Sequence, residues 1–384
     1  MARTEVIPAL ISLGIVQDVL QLKASLKLAI YENYNFQASS KPDDIIVPLP
    51  HDAGSTRLGD THQPSKYNMP GKEQLLIVNE FHPETVAALS EIYTCHHMWQ
   101  LDSVAKKSLI QKLDGRCRAA ASASWVCDPA IFELNSLQLI ACFGVGVDGI
   151  DFHQTRAAGI RVSNTPDVLN DAVADVAMAL ILATTRAIPQ ADKYVRAGQW
   201  LDGPYPFGHG LAGKTLGIIG LGRIGEAIVH RALPFKLNIA YHNRSPKPVP
   251  YSYYASIEEL AQHSDILLNM LPGGPETADL IGSKAFQQLG PTGVFINVGR
   301  GSSVNEMELV SALQNNAILG AGLDVYANEP NVPQELLQLN NVVLLPHIGS
   351  ATFETRRAMG NLVIDNLRSF FDRNELVTEY VQPR

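Results

Sequence analysis

From residue 74 onward, short apolar and β-branched runs alternate with longer stretches whose apolar positions recur at helical spacing. The first group of runs covers residues 74–79, 95–99, 117–121, 137–143 and 160–163 and predicts five strands. Helices are expected between them at 83–93 and at Ser103–Leu113, the second with Ser103 as N-cap and Gly115 as its stop. These runs do not alternate apolar with polar, so both faces of each strand are buried, as in a parallel sheet with helices on its faces.

A second series lies at Thr215–Ile219, 238–243, 265–271, 294–298, 319–325 and 342–346. Strands spaced about 25 residues apart with helices between them describe a doubly wound sheet of the dinucleotide-binding kind. Ser256 and Glu259 form a capping box that opens one of those helices. Residues 170–187 form a helix that is apolar nearly all round, with Val173, Val176, Met178, Leu180, Ile181 and Leu182. Such a helix is buried on most sides. It is expected to cross from one domain to the other and to pack against a second subunit in a homodimer. Residues 353–371 form a final amphipathic helix, with Met359, Leu362, Val363, Leu367 and Phe370 on one face and Ser350 as its cap.

The first 70 residues differ. Residues 9–31 have the pattern of one amphipathic helix, with Leu10, Leu13, Val16 and Leu20 on a common side. Residues 39–70 are rich in Pro, Ser, Asp and Gly and have no period, so they read as linker or loose coil. Met69 stands just before the first clear βα unit, where an internal start would leave a self-sufficient chain. The expected organisation is α/β, with two doubly wound parallel-sheet domains and a cleft between them. Residues 1–72 form an extension, 73–169 plus 351–384 a smaller domain, and 170–350 the dinucleotide-binding domain.

Composition narrows the function. The 384 residues suffice for two cored domains. The net charge is −8 with no basic block, which argues against a nucleic-acid partner. The four cysteines (Cys95, Cys117, Cys127, Cys142) have no C-x-x-C pair and read as reduced thiols in a cytoplasmic protein. His96 and His97 beside Cys95 lack a second ligand pair, so no metal site is expected. No run reaches transmembrane length, and the apolar stretch 6–16 is a poor signal peptide, so no membrane partner is expected.

The candidate chemistry starts at the turn after Thr215–Ile219. Gly220, Gly222 and Gly225 stand in G-x-G-x-x-G spacing, with Arg223 and Ile224 opening the helix. Gly220 permits the sharp turn, Gly222 lets a pyrophosphate approach the backbone, and Gly225 lets helix and sheet pack closely. The helix N-terminus then points free N–H groups at the phosphates. An NAD site usually has an acidic residue at the end of the next strand. Here stand Asn243, Arg244 and Ser245, with Lys247 just beyond. A guanidinium binds a 2′-phosphate in a fork, so NADPH is the preferred cofactor and NADH a possible one. The alternative is that Arg244 stacks on the adenine, which suits NAD equally. A second G-x-G-x-x-G occupies 144–149, but the next strand follows too soon for a full helix. It reads as a cradle of backbone N–H groups, including those of Val145 and Gly146, for a small anion such as a carboxylate, or else as a plain tight turn. Arg300, Asp324 with Glu329, and His347 each follow a strand of the second series, at the end where such sheets bind ligands.

The strings VGRG (298–301), GLDV with EP (322–330) and PHIGS (346–350) resemble the signatures of the D-isomer-specific 2-hydroxyacid dehydrogenases, in that family's order. The likeness runs from about residue 72 to the end. Within the family the chain is most similar to glyoxylate/hydroxypyruvate reductases and hydroxyphenylpyruvate reductases, which often use NADPH. The resemblance implies a flavodoxin-like substrate domain and a Rossmann domain, and reduction of a short 2-keto acid to a D-2-hydroxy acid. It implies that Arg300 anchors the substrate carboxylate and polarises the carbonyl, with the Val145 and Gly146 amides gripping the same group. His347 gives the proton, Glu329 holds that imidazole, and Asp324 bonds the nicotinamide carboxamide. Further cofactor contacts are implied at Leu271, Pro272, Thr277, Val298, Gly299 and Gly349, and again at Arg300 and His347. Gly273 and Gly274 depart from the larger residues common in the family. The stretch 121–127 matches no pattern, and Trp125 reads equally as a lid or as core. Two alternatives stay open: an aromatic keto-acid reductase of the hydroxyphenylpyruvate type, and a non-catalytic NAD(P)-sensing protein like the family's co-repressor relatives. The lack of an extended disordered C-terminal tail argues against the latter.

Overall fold

The computed structural model describes residues 71–123 and 127–381. The helix expected over 9–31, the coil of 39–70 and Trp125 lie outside the described residues. The first sheet contains β1 (Gln74–Ile77), β2 (Thr94–His97), β3 (Cys117–Ala123), β4 (Leu139–Phe143) and β5 (Arg161–Ser163), all parallel, in the order β2-β1-β3-β4-β5. This is the flavodoxin-like order, with the switch point between β1 and β3. Its crossovers include α1 (Pro83–Ile92), α2 (Ser103–Leu113) and α3 (Phe152–Ala158). Leu75, Leu76, Ile77, Leu139 and Ile140 are fully buried, as continuous apolar runs require.

Next come α4 (Asn170–Thr185) and α5 (Ile188–Arg196), then β6 (Thr215–Ile219), α6 (Arg223–Ala232), β7 (Asn238–His242) and β8 (Ser252–Tyr253). They are followed by α7 (Ile257–Gln262), β9 (Ile266–Asn269), α8 (Ser283–Leu289), β10 (Val294–Asn297) and α9 (Glu306–Gln314). The chain continues through β11 (Gly320–Leu323), α10 (Gln334–Leu337), β12 (Val342–Leu344) and α11 (Phe353–Arg373). The second sheet is ordered β12-β11-β10-β9-β6-β7-β8, also parallel. Counted from β6 this is 3-2-1-4-5-6-7, the doubly wound dinucleotide order with one more strand. The seventh strand in that count is β12, while the strand that the six-strand expectation omitted is β8, two residues at the edge.

The helix expected over 170–187 ends at Thr185, and Ala187 takes the left-handed conformation with φ +48°. The chain bends there by 59° into α5. The apolar girth of α4 is used within its own chain, against β10, β11 and β12 on one side and α6 on the other. The glycines of β11 permit this approach: a Cβ on Gly322 would lie 2.7 Å from Thr184 Oγ1. Arg231 of α6 pairs with Asp171 and Asp175 of α4 and sets the register of the two helices.

After β12 the chain returns to the first sheet. α11 packs on α1 and β4, with Phe371 tilted on Tyr93 and Gly360 in close contact with Thr85. The tail then pairs with the open edge of β5 through a bridge from Ser163 to Glu379, reinforced by the Arg161–Glu379 ion pair at 2.8 Å. Covering that edge removes a site for unwanted strand pairing.

The expected caps shift slightly. Asp102, not Ser103, caps α2, accepting from the Val104 and Ala105 N–H groups. Gly115 takes φ +76° just past the helix end, as a stop requires. Thr352, not Ser350, caps α11 by accepting from Thr355 N–H at 3.1 Å. Ser256 caps α7 as expected, while Glu259 reaches back to the N–H of Ala255. Residues 98 and 99, expected to end β2, instead lie in a turn of 3-10 helix over Met98–Gln100.

Candidate active site

The turn after β6 is built as its sequence requires. Gly220 has φ +92°, and a Cβ there would lie 3.2 Å from the carbonyl of Met270. Gly225 lies against the turn, 3.2 Å from the Gly220 oxygen as measured from an added Cβ. Gly222 is the reverse: a Cβ there meets nothing within 4 Å, so the space before its backbone is open. It is also the N-cap of α6, whose first-turn N–H groups have no intrahelical acceptor and face that opening. An open approach, a turn only glycine can make and a helix start are what a dinucleotide pyrophosphate needs. Arg223 pairs with Asp167 at 3.1 Å, and Ile224 packs on the core.

At the end of β7 the expected residues divide. Asn243 is tied to the turn, accepting from Leu221 N–H at 2.7 Å and donating to its carbonyl at 3.3 Å. Its side chain braces the glycine loop. Arg244 is largely exposed and reaches Glu276 at 3.4 Å, and Ser245 is exposed beside it. Lys247 donates to the Leu221 carbonyl at 3.0 Å and pairs with Glu226 at 2.6 Å, adding a second cation at the turn. The loop after β9 is folded on itself: Leu271 N–H donates to Asn269, and Thr277 Oγ1 donates to the carbonyls of Pro272 and Gly274. Val298 is buried, and Gly299 passes so close to Leu271 that a Cβ would be 2.8 Å from its oxygen.

The ends of β10, β11 and β12 bring the ionisable residues together. His347 Nδ1 is 2.7 Å from Glu329 Oε2, and Glu329 Oε1 accepts from Tyr326 N–H at 3.0 Å. Burial pushes the Glu329 carboxyl up. The hydrogen bond and charge of His347, with help from Tyr326 N–H and the Arg300 charge, outweigh it and hold the group below its ordinary value. The neighbouring Glu306 goes the other way, raised by burial and by Glu329. Asp324 is buried, and its oxygens accept from Ile348 N–H at 2.7 Å and Gly349 N–H at 2.8 Å. Burial raises its pKa. It holds the turn on which His347 sits at φ +53°, a conformation that needs such bracing.

The first sheet supplies the opposite wall. Beyond Phe143 at the end of β4, the loop brings Gly146 against the Arg300 guanidinium: a Cβ there would be 1.8 Å from Nη2. The Val145 carbonyl is held by Asn164 Nδ2 at 2.8 Å. Arg300 Nε donates to Asp148 at 2.7 Å, and Nη1 donates to the Gly299 carbonyl at 2.8 Å. Sequence reasoning missed Asp148, although it lies inside the second glycine motif. An Asp in a tight turn is ordinary loop chemistry and gives no signal of a long-range partner.

Residues 178–349 match the family model for D-isomer specific 2-hydroxyacid dehydrogenase, NAD binding domain. The chain is 48% identical to a hydroxyphenylpyruvate reductase of Plectranthus scutellarioides over 273 residues, covering 71% of this chain and 86% of that one. The chain belongs to the D-isomer-specific 2-hydroxyacid dehydrogenases. Another member, glyoxylate/hydroxypyruvate reductase A of Arabidopsis thaliana, is 45% identical over 72% of this chain and 87% of its own length. Among solved structures, an NADPH-dependent glyoxylate/hydroxypyruvate reductase of Sinorhizobium meliloti in complex with NADP and malonate superposes with TM-score 0.75. It is 39% identical, over 81% of this chain and 97% of that one.

Proposed function

We propose that this enzyme reduces short 2-keto acids, glyoxylate and hydroxypyruvate, to D-2-hydroxy acids, with NADPH as preferred cofactor and NADH as a possible one. The observation that carries the reading is the 2.7 Å His347–Glu329 pair on the same strand ends as Arg300, in a sheet whose glycine turn leaves a phosphate approach open. Bound NADPH supplies the hydride. The Arg300 guanidinium binds the substrate carboxylate and polarises the neighbouring carbonyl. His347 Nε2 gives a proton to the ketone oxygen as charge develops there. Glu329, ionised, accepts from Nδ1–H and fixes the imidazole with that nitrogen inward and Nε2 toward the substrate. Asp324 braces the His347 turn and keeps lone pairs for the nicotinamide carboxamide. The Val145 and Gly146 backbone closes the carboxylate site from the first sheet. On this reading residues 73–169 with 351–384 form the substrate-binding domain and 170–350 the dinucleotide-binding domain.

Cofactor choice follows from Arg244 and Lys247 standing where an acidic residue would repel a 2′-phosphate. A second substrate class, the aromatic hydroxyphenylpyruvate type, is favoured by the 48% identity to a hydroxyphenylpyruvate reductase. Loss of the nicotinamide absorbance band separates these readings, using glyoxylate, hydroxypyruvate and hydroxyphenylpyruvate, each with NADPH and with NADH. The expected result is faster turnover of the two short acids with NADPH. No turnover with any of the three would overturn the enzyme reading.

The active species is a homodimer in the cytoplasm. Support for a second copy comes from the segment after α4. There Trp200 is 67% exposed, Leu201 93%, and Ile188, Val195 and Phe207 also face solvent. Tyr194 and Tyr205 meet edge to face at 5.2 Å and hold this loop on α5. Patches of this kind mark protein contacts. The proposed face thus lies on α5 and the loop beyond it, next to the helix on which the dimer was expected. The four cysteines are free thiols, which suits a reducing compartment. Among the described residues no single helix is long and apolar enough to cross a membrane.

A further inference from the structure

We propose that Asp148 is a positioning residue for Arg300, reaching it from the other sheet to decide which edge of the guanidinium meets the substrate. The proposal rests on the reading of Arg300 as the carboxylate anchor. Asp148 lies in the loop after β4, and Arg300 follows β10, so their 2.7 Å ion pair joins the two lobes. Both side chains are about three-quarters buried, with 26% and 24% of their surface exposed, and such a pair is weakly screened.

Two glycines, one from each lobe, leave the room this pair occupies. A Cβ on Gly146 would lie 1.8 Å from Arg300 Nη2 and 2.8 Å from Asp148 Oδ2. A Cβ on Gly273 would lie 3.1 Å from Asp148 Oδ1 and 3.4 Å from Arg300 Cγ. Gly273 is one of the two departures from the usual family residues, and a larger residue there would press on this pair. The guanidinium has five N–H donors in a planar fork. Asp148 takes the one on Nε, and the Gly299 carbonyl takes one on Nη1. What remains is the Nη1–Nη2 edge, which can hold a carboxylate with two parallel hydrogen bonds. Asp148 thereby turns that edge outward and fixes it relative to the Val145–Gly146 backbone. Without it, the plane is free to rotate and present its Nε side instead.

The test is steady-state kinetics with glyoxylate for Asp148→Ala and Asp148→Asn, each made in the wild-type chain and in Arg300→Lys, which has no Nε edge. In the wild-type background Asp148→Ala should lower kcat/KM by roughly tenfold to a hundredfold, most of it in KM, the scale of a misplaced substrate anchor. Asp148→Asn keeps an acceptor for Nε and should fall between alanine and wild type. The NADPH Kd, read by fluorescence titration, should not move in either. In Arg300→Lys the Asp148 substitutions should add less than about twofold, since coupled residues are not additive. Wild-type kinetics for both single variants would overturn the proposal. So would a full Asp148 effect that persists in the Arg300→Lys background. If the alanine variant fails to fold, the near-isosteric asparagine carries the comparison in both backgrounds. Failure of the underlying reading looks different: Arg300→Lys alone would then keep the wild-type KM and kcat, whatever Asp148 does.

Discussion

Two loops of this chain have the same glycine spacing, at 144–149 and 220–225, and the structure uses them in opposite ways. In the second, a Cβ on Gly222 would meet nothing within 4 Å, and α6 opens directly from it at Arg223. In the first, the space before Gly146 is filled by the Arg300 guanidinium, and α3 starts only at Phe152, capped by Asp151 beyond the motif. One loop keeps a helix start and an open approach for phosphate. The other has no helix start facing it and serves as one wall of a side-chain site. The spacing alone does not separate these uses. The element directly after the motif does, because a helix N-terminus adds aligned N–H groups and a dipole that favours a phosphate.

Crossed substitutions break this comparison most sharply. Gly222→Val should weaken NADPH by about a hundredfold, the scale of losing one or two hydrogen bonds to a charged group. The fold should survive, since a Cβ at this position meets nothing within 4 Å, and thermal melting checks this. Unchanged NADPH affinity in a fluorescence titration would remove the phosphate cradle from that turn. Gly146→Ala should do the converse. Its methyl displaces the guanidinium, so kcat/KM for glyoxylate should fall about tenfold or more while NADPH binding holds. Loss of NADPH affinity with intact glyoxylate KM would reverse the assignment of the two loops.

A finer probe of the second loop is Arg244→Ala. It should raise the KM for NADPH by about tenfold, as for one charge-assisted hydrogen bond, and leave NADH within about twofold. An equal change for both cofactors would point to adenine stacking. The smallest expected effect is on stability. The folded Glu329 pKa lies below its ordinary value, so the His347 pair contributes stability above the usual carboxylate range. That contribution is lost as pH falls through the folded pKa. The melting temperature of wild type should therefore approach that of Glu329→Gln on acidification, and a gap that widens would contradict the pairing.

Most of the architecture was legible because buried parallel strands leave continuous apolar runs, and eleven of the twelve strands follow them. The missed one, β8, has two residues and no room for a pattern. Helix caps slipped by one or two positions where Asp, Ser and Thr crowd together, as at Asp102–Ser103 and in 350–352. The expected helix stops where the bend falls, but α5, which has Pro189 in its first turn, was not read from that signal. The site was legible where its residues follow strand ends in fixed strings: Glu329 and His347 pair at 2.7 Å, and Arg300 follows the adjacent strand. It was not legible where a partner comes from the other lobe, as Asp148 does. Nor does a strand-end asparagine reveal whether it faces a ligand or, like Asn243, its own backbone.

The central claim is that an imidazole held by a carboxylate delivers the proton beside a cofactor bound elsewhere on the same sheet. Single-turnover reduction of glyoxylate by bound NADPH, in wild type and His347→Ala, tests it most directly. The account predicts a rate lower by about a hundredfold or more in the variant, the usual scale of general acid catalysis, with the NADPH Kd unchanged. Equal loss of binding and rate, or a variant as fast as wild type, would contradict it.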